Sequence, residues 1–289
     1  MEVDTYLSAS QKKRKQRRRY FFITLSVITA CLVFSGVFWL VFKSPVFKIK
    51  NIVVHGNTSV VSDDIVSLVR SVILEKHNLK ESFFGIGNML AWPNSISPSD
   101  ASAIPELTDI KIEKDYLAHT IVITVTERKP FAIWCFMPKV AVLNGNYSDT
   151  TSTVMAAQEA DEECYWFDTN GVMFENGFDS EGSLIIAIHD YSQIAAPIGA
   201  AILPPRFIPN LVSILSVLRA SGLNVKEVRL NDIGMQEIQA TTYDGPDILF
   251  SLRFSADIDL PVIENVMAKP GFKNLRYLDF RTEDRAYYE

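Results

Sequence analysis

The sequence predicts an α+β protein carried on one N-terminal membrane-spanning helix. Three observations predict it. Residues 20–42 contain no charged side chain and follow a basic run directly. Residues 43–129 carry apolar patterns in the order strand, helix, helix, strand, strand. Residues 130–289 hold many short strand patterns separated by turn residues, with one clear helix and a second shorter one.

The basic run is KKRKQRRR at residues 12–19, seven of the 28 Lys and Arg in the 289-residue chain. Only Glu2 and Asp4 of the 34 acidic residues precede the uncharged stretch. The 247 residues from Lys43 onward therefore hold 21 basic against 32 acidic residues, about −11, while the whole chain sums to −6. An acidic body argues against nucleic-acid binding. At about 1.5 Å per residue, 23 helical residues span roughly the 30 Å of a hydrocarbon core. Trp39 lies where an interfacial anchor is expected. The cations place residues 1–19 in the cytoplasm as a tail and residues 43–289 outside. A cleaved signal has a shorter apolar region. Ile28-Thr29-Ala30-Cys31 resembles a lipoprotein cleavage box, but apolar residues follow where a polar tether is usual. Cys31 reads as a small apolar residue of the span.

After the anchor, Phe47, Ile49, Ile52 and Val54 form a strand pattern whose parity changes, so a bulge is expected there. Gly56-Asn57 supplies a turn. Ser62 is a natural N-cap, with Asp63 and Asp64 in the first turn. Ile65, Leu68, Val69, Val72 and Ile73 make one helix stripe. Ser97-Pro98 starts a short helix that ends by Pro105. Ile110 and Ile112, then Ile121, Ile123 and Val125, alternate as two strands.

Residues 47–69 and 104–134 together resemble the POTRA domain of the bacterial division proteins FtsQ and DivIB. The likeness rests on the Gly-Asn turn and on Glu127, Arg128, Pro130 and Trp134, the family's Glu-Arg-x-Pro and aromatic. Asp115-Tyr116-Leu117 departs from the proline-containing turn common there. Residues 1–19 are then the tail, 20–42 the transmembrane helix, 43–129 the POTRA domain and 130–289 the family's β domain. WFDTNGVMF at 166–174 is similar to its aspartate-x-x-glycine hairpin. Leu278, Asp279, Phe280 and Arg281 resemble its closing strands.

In 130–289, strand patterns fall at 131–135, 139–143, 164–167, 172–174, 184–188, 225–230, 235–241, 247–253 and 275–280. Asp168-Thr169-Asn170-Gly171 fits a hairpin turn. Pro209 to Ser221 reads as a helix with Leu211, Ile214, Leu215 and Leu218 buried and Gly222 as its stop. A second helix covers about 260–268. Residues 136–163 are rich in Ser, Thr, Asn and Ala and read as an inserted loop; the sequon at Asn146 lies within it.

Catalytic patterns are absent from the sequence. His55, His77, His119 and His189 are scattered without metal-ligand spacing, and no phosphate loop or nucleophile elbow occurs. The expectation is a binding protein, not an enzyme, with no cofactor, metal or small-molecule substrate. Cys135 and Cys164 bracket the insertion. If their strands pair, a disulfide closes the loop and stabilises by about 3 kcal/mol; two independent buried thiols are the alternative.

The last residues, 282–289, follow a strand and can lie on a sheet edge open to β-augmentation. The resemblance implies single-pass scaffolding at the septum and places binding of FtsB/DivIC-like and FtsL-like partners on Thr282, Asp284, Arg285, Ala286, Tyr287 and Tyr288. A frayed tail is the alternative. A POTRA-containing component of secretion or envelope assembly is the rival for the whole chain.

Overall fold

Helix α1, Val3–Lys43, runs unbroken through the apolar stretch. Its segment Arg17–Trp39, 23 residues, is long and apolar enough to cross a membrane. Large side chains such as Phe21, Phe34 and Trp39 are exposed along it. A water-soluble helix would hide such a surface against a core. The fold was read from a computed structural model that describes residues 3–43, 45–76, 84–137, 163–192 and 195–289. The strand expected at 139–143 and nearly all of the 136–163 insertion lie outside the described residues.

The chain divides into two compact units, 1–96 with 110–125 and 97–109 with 126–289. Beyond α1, the first unit is built on β1 (Asn51–His55), α2 (Ser62–Glu75), β2 (Leu107–Asp115) and β3 (Thr120–Glu127), in sheet order β1-β3-β2. β1 and β3 are parallel, with Ile52 opposite Ile121 and Val54 opposite Ile123. The α2 stripe buries Ile65, Val69, Val72 and Ile73, while Leu68 is half-buried. Ile110, Ile112, Ile121, Ile123 and Val125 are buried with Met89 and Trp92.

Two expectations at the start of this unit are corrected. Phe47 lies in a 3-10 turn, Pro45–Phe47, and its ring meets Tyr116 edge-on at 5.9 Å. The proline favours the turn, so β1 begins only at Asn51. Ser62 is the first helical residue rather than the cap; Val61 holds the cap position, and the Asn57 amide donates to Ser62 Oγ at 3.2 Å. The extended backbone before the helix ends at Val61, ψ 135°, so Ser62 sits one position too late to cap it.

The second unit begins with a short helix, α3 (Pro98–Ala101), capped by Ser97 Oγ, which accepts from Asp100 N. Its nine-stranded sheet has the order β12-β11-β10-β9-β8-β7-β4-β5-β6. The strands are β4 (Ala132–Phe136), β5 (Glu163–Phe167), β6 (Met173–Asn176), β7 (Ala187–Asp190), β8 (Val225–Leu230) and β9 (Glu237–Thr242). The rest are β10 (Asp247–Ser251), β11 (Tyr277–Thr282) and β12 (Arg285–Tyr288). The strand expected at 184–188 begins three residues late, because Leu184 is exposed at a bend and only Ile186 turns inward.

Two helices make the crossovers between parallel neighbours. α4 (Ile208–Ala220) connects β7 to β8, and α5 (Leu260–Met267) connects β10 to β11. Such pairs need a long connection, and a helix that covers the sheet supplies it. Leu211, Ile214, Leu215 and Leu218 of α4 and Ile263 of α5 share one core with Trp134, Phe167, Phe250 and Phe280. Phe250 and Phe280 stack at 5.4 Å between ring centres. Among the described residues the protein is therefore a mixed α+β fold with one helix long and apolar enough to span a membrane and two sheets.

Candidate functional site

The sheet ends at β12, which pairs antiparallel with β11 on one side; no strand pairs with its other side among the described residues. Its turn is short because Asp284 adopts a left-handed conformation, φ 58°, which aspartate tolerates better than most residues. The register sets Leu278 opposite Tyr288 and Asp279 opposite Tyr287, with an irregularity before Thr282 opposite Arg285.

Backbone bonds hold the strand to its end. Tyr277 N donates to Glu289 O, and Glu289 N donates to Tyr277 O, both at 3.4 Å. Alternation along an antiparallel ladder then directs the N–H and C=O of Tyr288 and Ala286 to the open side. Ala286 packs on the core, while Tyr287 and Tyr288 are each 48% exposed. Thr282, Asp284 and Arg285 are exposed along the same hairpin. Residues 282–289 therefore form an ordered edge.

Helix α5 flanks this edge. Asp259, at its N-cap, is pushed up to about 6, first by burial and second by the charge of Asp284 in the hairpin turn. Two residues beyond its end, Lys269 Nζ donates to Tyr288 Oη at 3.2 Å and lies 5.1 Å from that ring's centre. Ile258 and Val262 leave apolar surface exposed near the start of the helix. The approach to α5 is fixed from α4. Asn210 Nδ2 donates to Leu252 O at 2.8 Å, and Ser213 Oγ donates to Asp257 Oδ1 at 2.6 Å while accepting from Ala256 N. The hydroxyls of Ser213 and, second, Ser255 hold Asp257 below the usual carboxylate range.

On the sheet face away from the helices, Arg281 grips Asp279 through Nε at 2.9 Å and Nη2 at 2.7 Å, and reaches Glu237 at 3.0 Å. Arg281 holds Asp279 below its ordinary range, and the two carboxylates raise Arg281. This network fastens β11 to β9 across β10. The edge therefore has a strand tied back to β9 behind it, polar backbone in front and two aromatic side chains beside it. That arrangement can accept an extended segment as a tenth strand.

The sequence singled out the edge residues but missed Asp259 and Lys269. The helix pattern at about 260–268 located α5, yet nothing local signalled that it lies beside β12. That depends on the parallel pairing of β10 with β11.

Cys135 and Cys164 are directly opposite in β4 and β5 and are bonded to each other. Cys31 is an unbridged, exposed cysteine of α1. The histidines lack metal-ligand spacing in sequence, but folding sets His189 opposite Cys135 on β7. Ligand atoms of Cys135, Asp179 and His189 lie within 4.8 Å of one another.

No family model matches the chain, and no curated protein matches it.

The first unit offers one further recess. An open groove of about 900 Å³ lies between β1 and α2, lined by Ile52, Val66, Arg70, Leu74, Ile86 and Trp92.

Proposed function

We propose that the chain is a non-catalytic, single-pass membrane scaffold of the FtsQ/DivIB kind, which receives a partner segment along β12. The open edge beside α5 carries the proposal. A sheet edge is normally shortened, charged or covered, because unpaired N–H and C=O groups recruit other strands. Here the edge ends an ordered hairpin with exposed tyrosines, a residue type enriched among interface anchors.

The motif resemblance supplies the partner class: FtsB/DivIC-like and FtsL-like division proteins, each with one membrane span. The elements β1, α2, β2 and β3, with β1 parallel to β3, support reading residues 43–129 as a POTRA domain. The meeting of Arg128 with Asp168 supports the family reading, because each residue belongs to one of the resembling motifs. The basic tail before the anchor supports an N-terminus in the cytoplasm. On this reading the protein concentrates at the division septum and helps regulate cell-wall synthesis there. It needs no cofactor, metal or small-molecule substrate for that role.

The test is Ala286→Pro. The substitution removes an outward N–H and leaves the Asp279–Tyr287 and Tyr277–Glu289 pairs in place. Capture of the partners from solubilised membranes is expected to fall by at least tenfold, with the melting temperature held within about 2 °C. Undiminished capture by the folded variant would refute β-augmentation at this edge. A uniform envelope distribution of the tagged protein through the cell cycle would refute the divisome reading itself.

A further inference from the structure

The face of the large sheet opposite α4 and α5 carries a small apolar patch of Ile133, Cys135, Cys164 and Ala187, bordered by Trp166 and Ile185. The connection between β6 and β7 crosses it. Gly177 N donates to Cys164 O at 2.7 Å, Phe178 meets Trp166 edge-on at 6.1 Å, and Gly182 N donates to Lys226 O at 3.2 Å. Under this connection lies a polar group that the edge-strand reading does not use. His189 is buried, with Nε2 2.9 Å from Asp179 Oδ1 and Nδ1 3.3 Å from Glu227 Oε1. Glu227 is paired in turn with Arg229.

We propose that reduction of the Cys135–Cys164 bond turns this face into a zinc-class metal site, with Cys135, Cys164, His189 and Asp179 as its ligands. Three adjacent strands set Cys164, Cys135 and His189 side by side in register. Asp179 arrives from the crossing connection, and its side chain, 47% exposed, gives the ion a path from solvent. Ligand atoms around a tetrahedral zinc are about 3.3–3.8 Å apart. The 4.8 Å limit that encloses the Cys135, Asp179 and His189 atoms is within rotamer adjustment of that.

The surroundings of His189 point the same way. A metal-binding imidazole characteristically offers its second nitrogen to a carboxylate, which fixes the tautomer and the ring orientation. Glu227, steadied by Arg229, stands on the Nδ1 side while Nε2 faces Asp179, and a ring nitrogen lies within 4.8 Å of the Cys135 sulfur. In the disulfide form the two sulfurs are joined and the site is closed to metal.

The opening step balances with a dithiol as reductant. It supplies two electrons and two protons and becomes a disulfide, while the Cys135–Cys164 bond breaks to give two thiols. Binding of the dication releases both thiol protons to water. His189 donates the Nε2 lone pair and keeps its proton on Nδ1, and Asp179 donates a carboxylate oxygen. Two thiolates and one carboxylate around a 2+ ion leave a net charge of −1.

Full-length protein carrying Cys31→Ser, purified in detergent, tests the proposal with Co²⁺ and Zn²⁺. One sample keeps the disulfide; the other is reduced with a phosphine, which takes its oxygen from water, and desalted without air. The reduced sample is expected to bind one equivalent of Co²⁺ with thiolate-to-cobalt and tetrahedral d–d absorption, and Zn²⁺ is expected to displace it. The disulfide sample is expected to show neither band. Asp179→Asn is expected to weaken Co²⁺ binding by at least about tenfold, and Glu227→Gln, which acts through the orientation of His189, by about tenfold. A folded reduced protein without these bands would overturn the site. So would unchanged affinity in Asp179→Asn, or unchanged bands in a folded His189→Gln variant. If reduction unfolds the protein, recovery of native circular dichroism with one equivalent of Zn²⁺ supports the site, and failure to recover overturns it.

Discussion

Arg128 and Asp168 form a largely buried ion pair, Nη1 to Oδ2 2.6 Å, across 40 residues of sequence. Arg128 Nε also donates to Pro105 O at 2.8 Å. Asp168 Oδ1 accepts from the backbone N–H groups of Asn170 and Val172, so the same carboxylate closes the β5–β6 turn. One residue thus shapes a hairpin and receives the cation that follows β3.

Removing one partner of such a pair leaves the other charge buried without compensation. Arg128→Ala is expected to destabilise the protein by about 3–5 kcal/mol. Arg128→Met combined with Asp168→Asn is expected to cost less than the two single changes added together, because the charges then leave together. Chemical denaturation of the four proteins gives the coupling; strict additivity would contradict it.

Asp259 gives the hairpin flank a pH dependence. Its folded pKa, about 6, lies above its ordinary value of 3.8, so the folded state holds more protons between those values. Stability from this group is therefore fully present below about pH 4 and is lost as pH rises through about 6. Asp259→Asn is expected to raise stability at pH 7.5 by on the order of 1 kcal/mol, discounted for partial solvent screening. At pH 4 the gain is expected to vanish. Thermal melts at the two pH values check the sign.

The bridge between Cys135 and Cys164 closes a loop with a sequence separation of 29. The chain-entropy relation gives about 3–4 kcal/mol for that length. Mass spectrometry of unreduced, thiol-blocked protein is expected to find one alkylated cysteine, Cys31. Cys164→Ser is expected to lower the denaturation midpoint accordingly.

At the edge strand, the two tyrosines should separate. Tyr287 lies opposite Asp279, whereas Tyr288 is held by Lys269. Tyr287→Ala is expected to weaken partner capture by about 1–2 kcal/mol with little change in stability. Lys269→Ala is expected to weaken it less, by freeing the Tyr288 ring. Binding measured by interferometry with purified partner decides the order.

Much of this fold was legible along the chain. The uncharged span, the α2 stripe, the α4 stripe with its glycine stop, β8 at Val225–Leu230 and the Asp168–Gly171 turn are all written in local periodicity and turn chemistry. Such signals need only neighbours within a few residues. The site was legible in part. The edge residues and both cysteines were found, and Cys135 stands opposite Cys164 because their strands are hairpin partners.

The sequence by itself determined which segments are apolar on one face, where they start and stop, and which end carries the cations. Tertiary structure alone decided which strands are parallel neighbours. β7 lies beside β4 and β10 beside β11 through parallel pairings that no turn specifies. Those pairings bring His189 to Cys135 and α5 to β12, while the antiparallel pairing of β4 with β5, Ala132 opposite Phe167, brings Asp168 to Arg128. The physical reason is that periodicity reports the face a residue shows. Strand order is selected by burial of the shared core, a property of the whole chain.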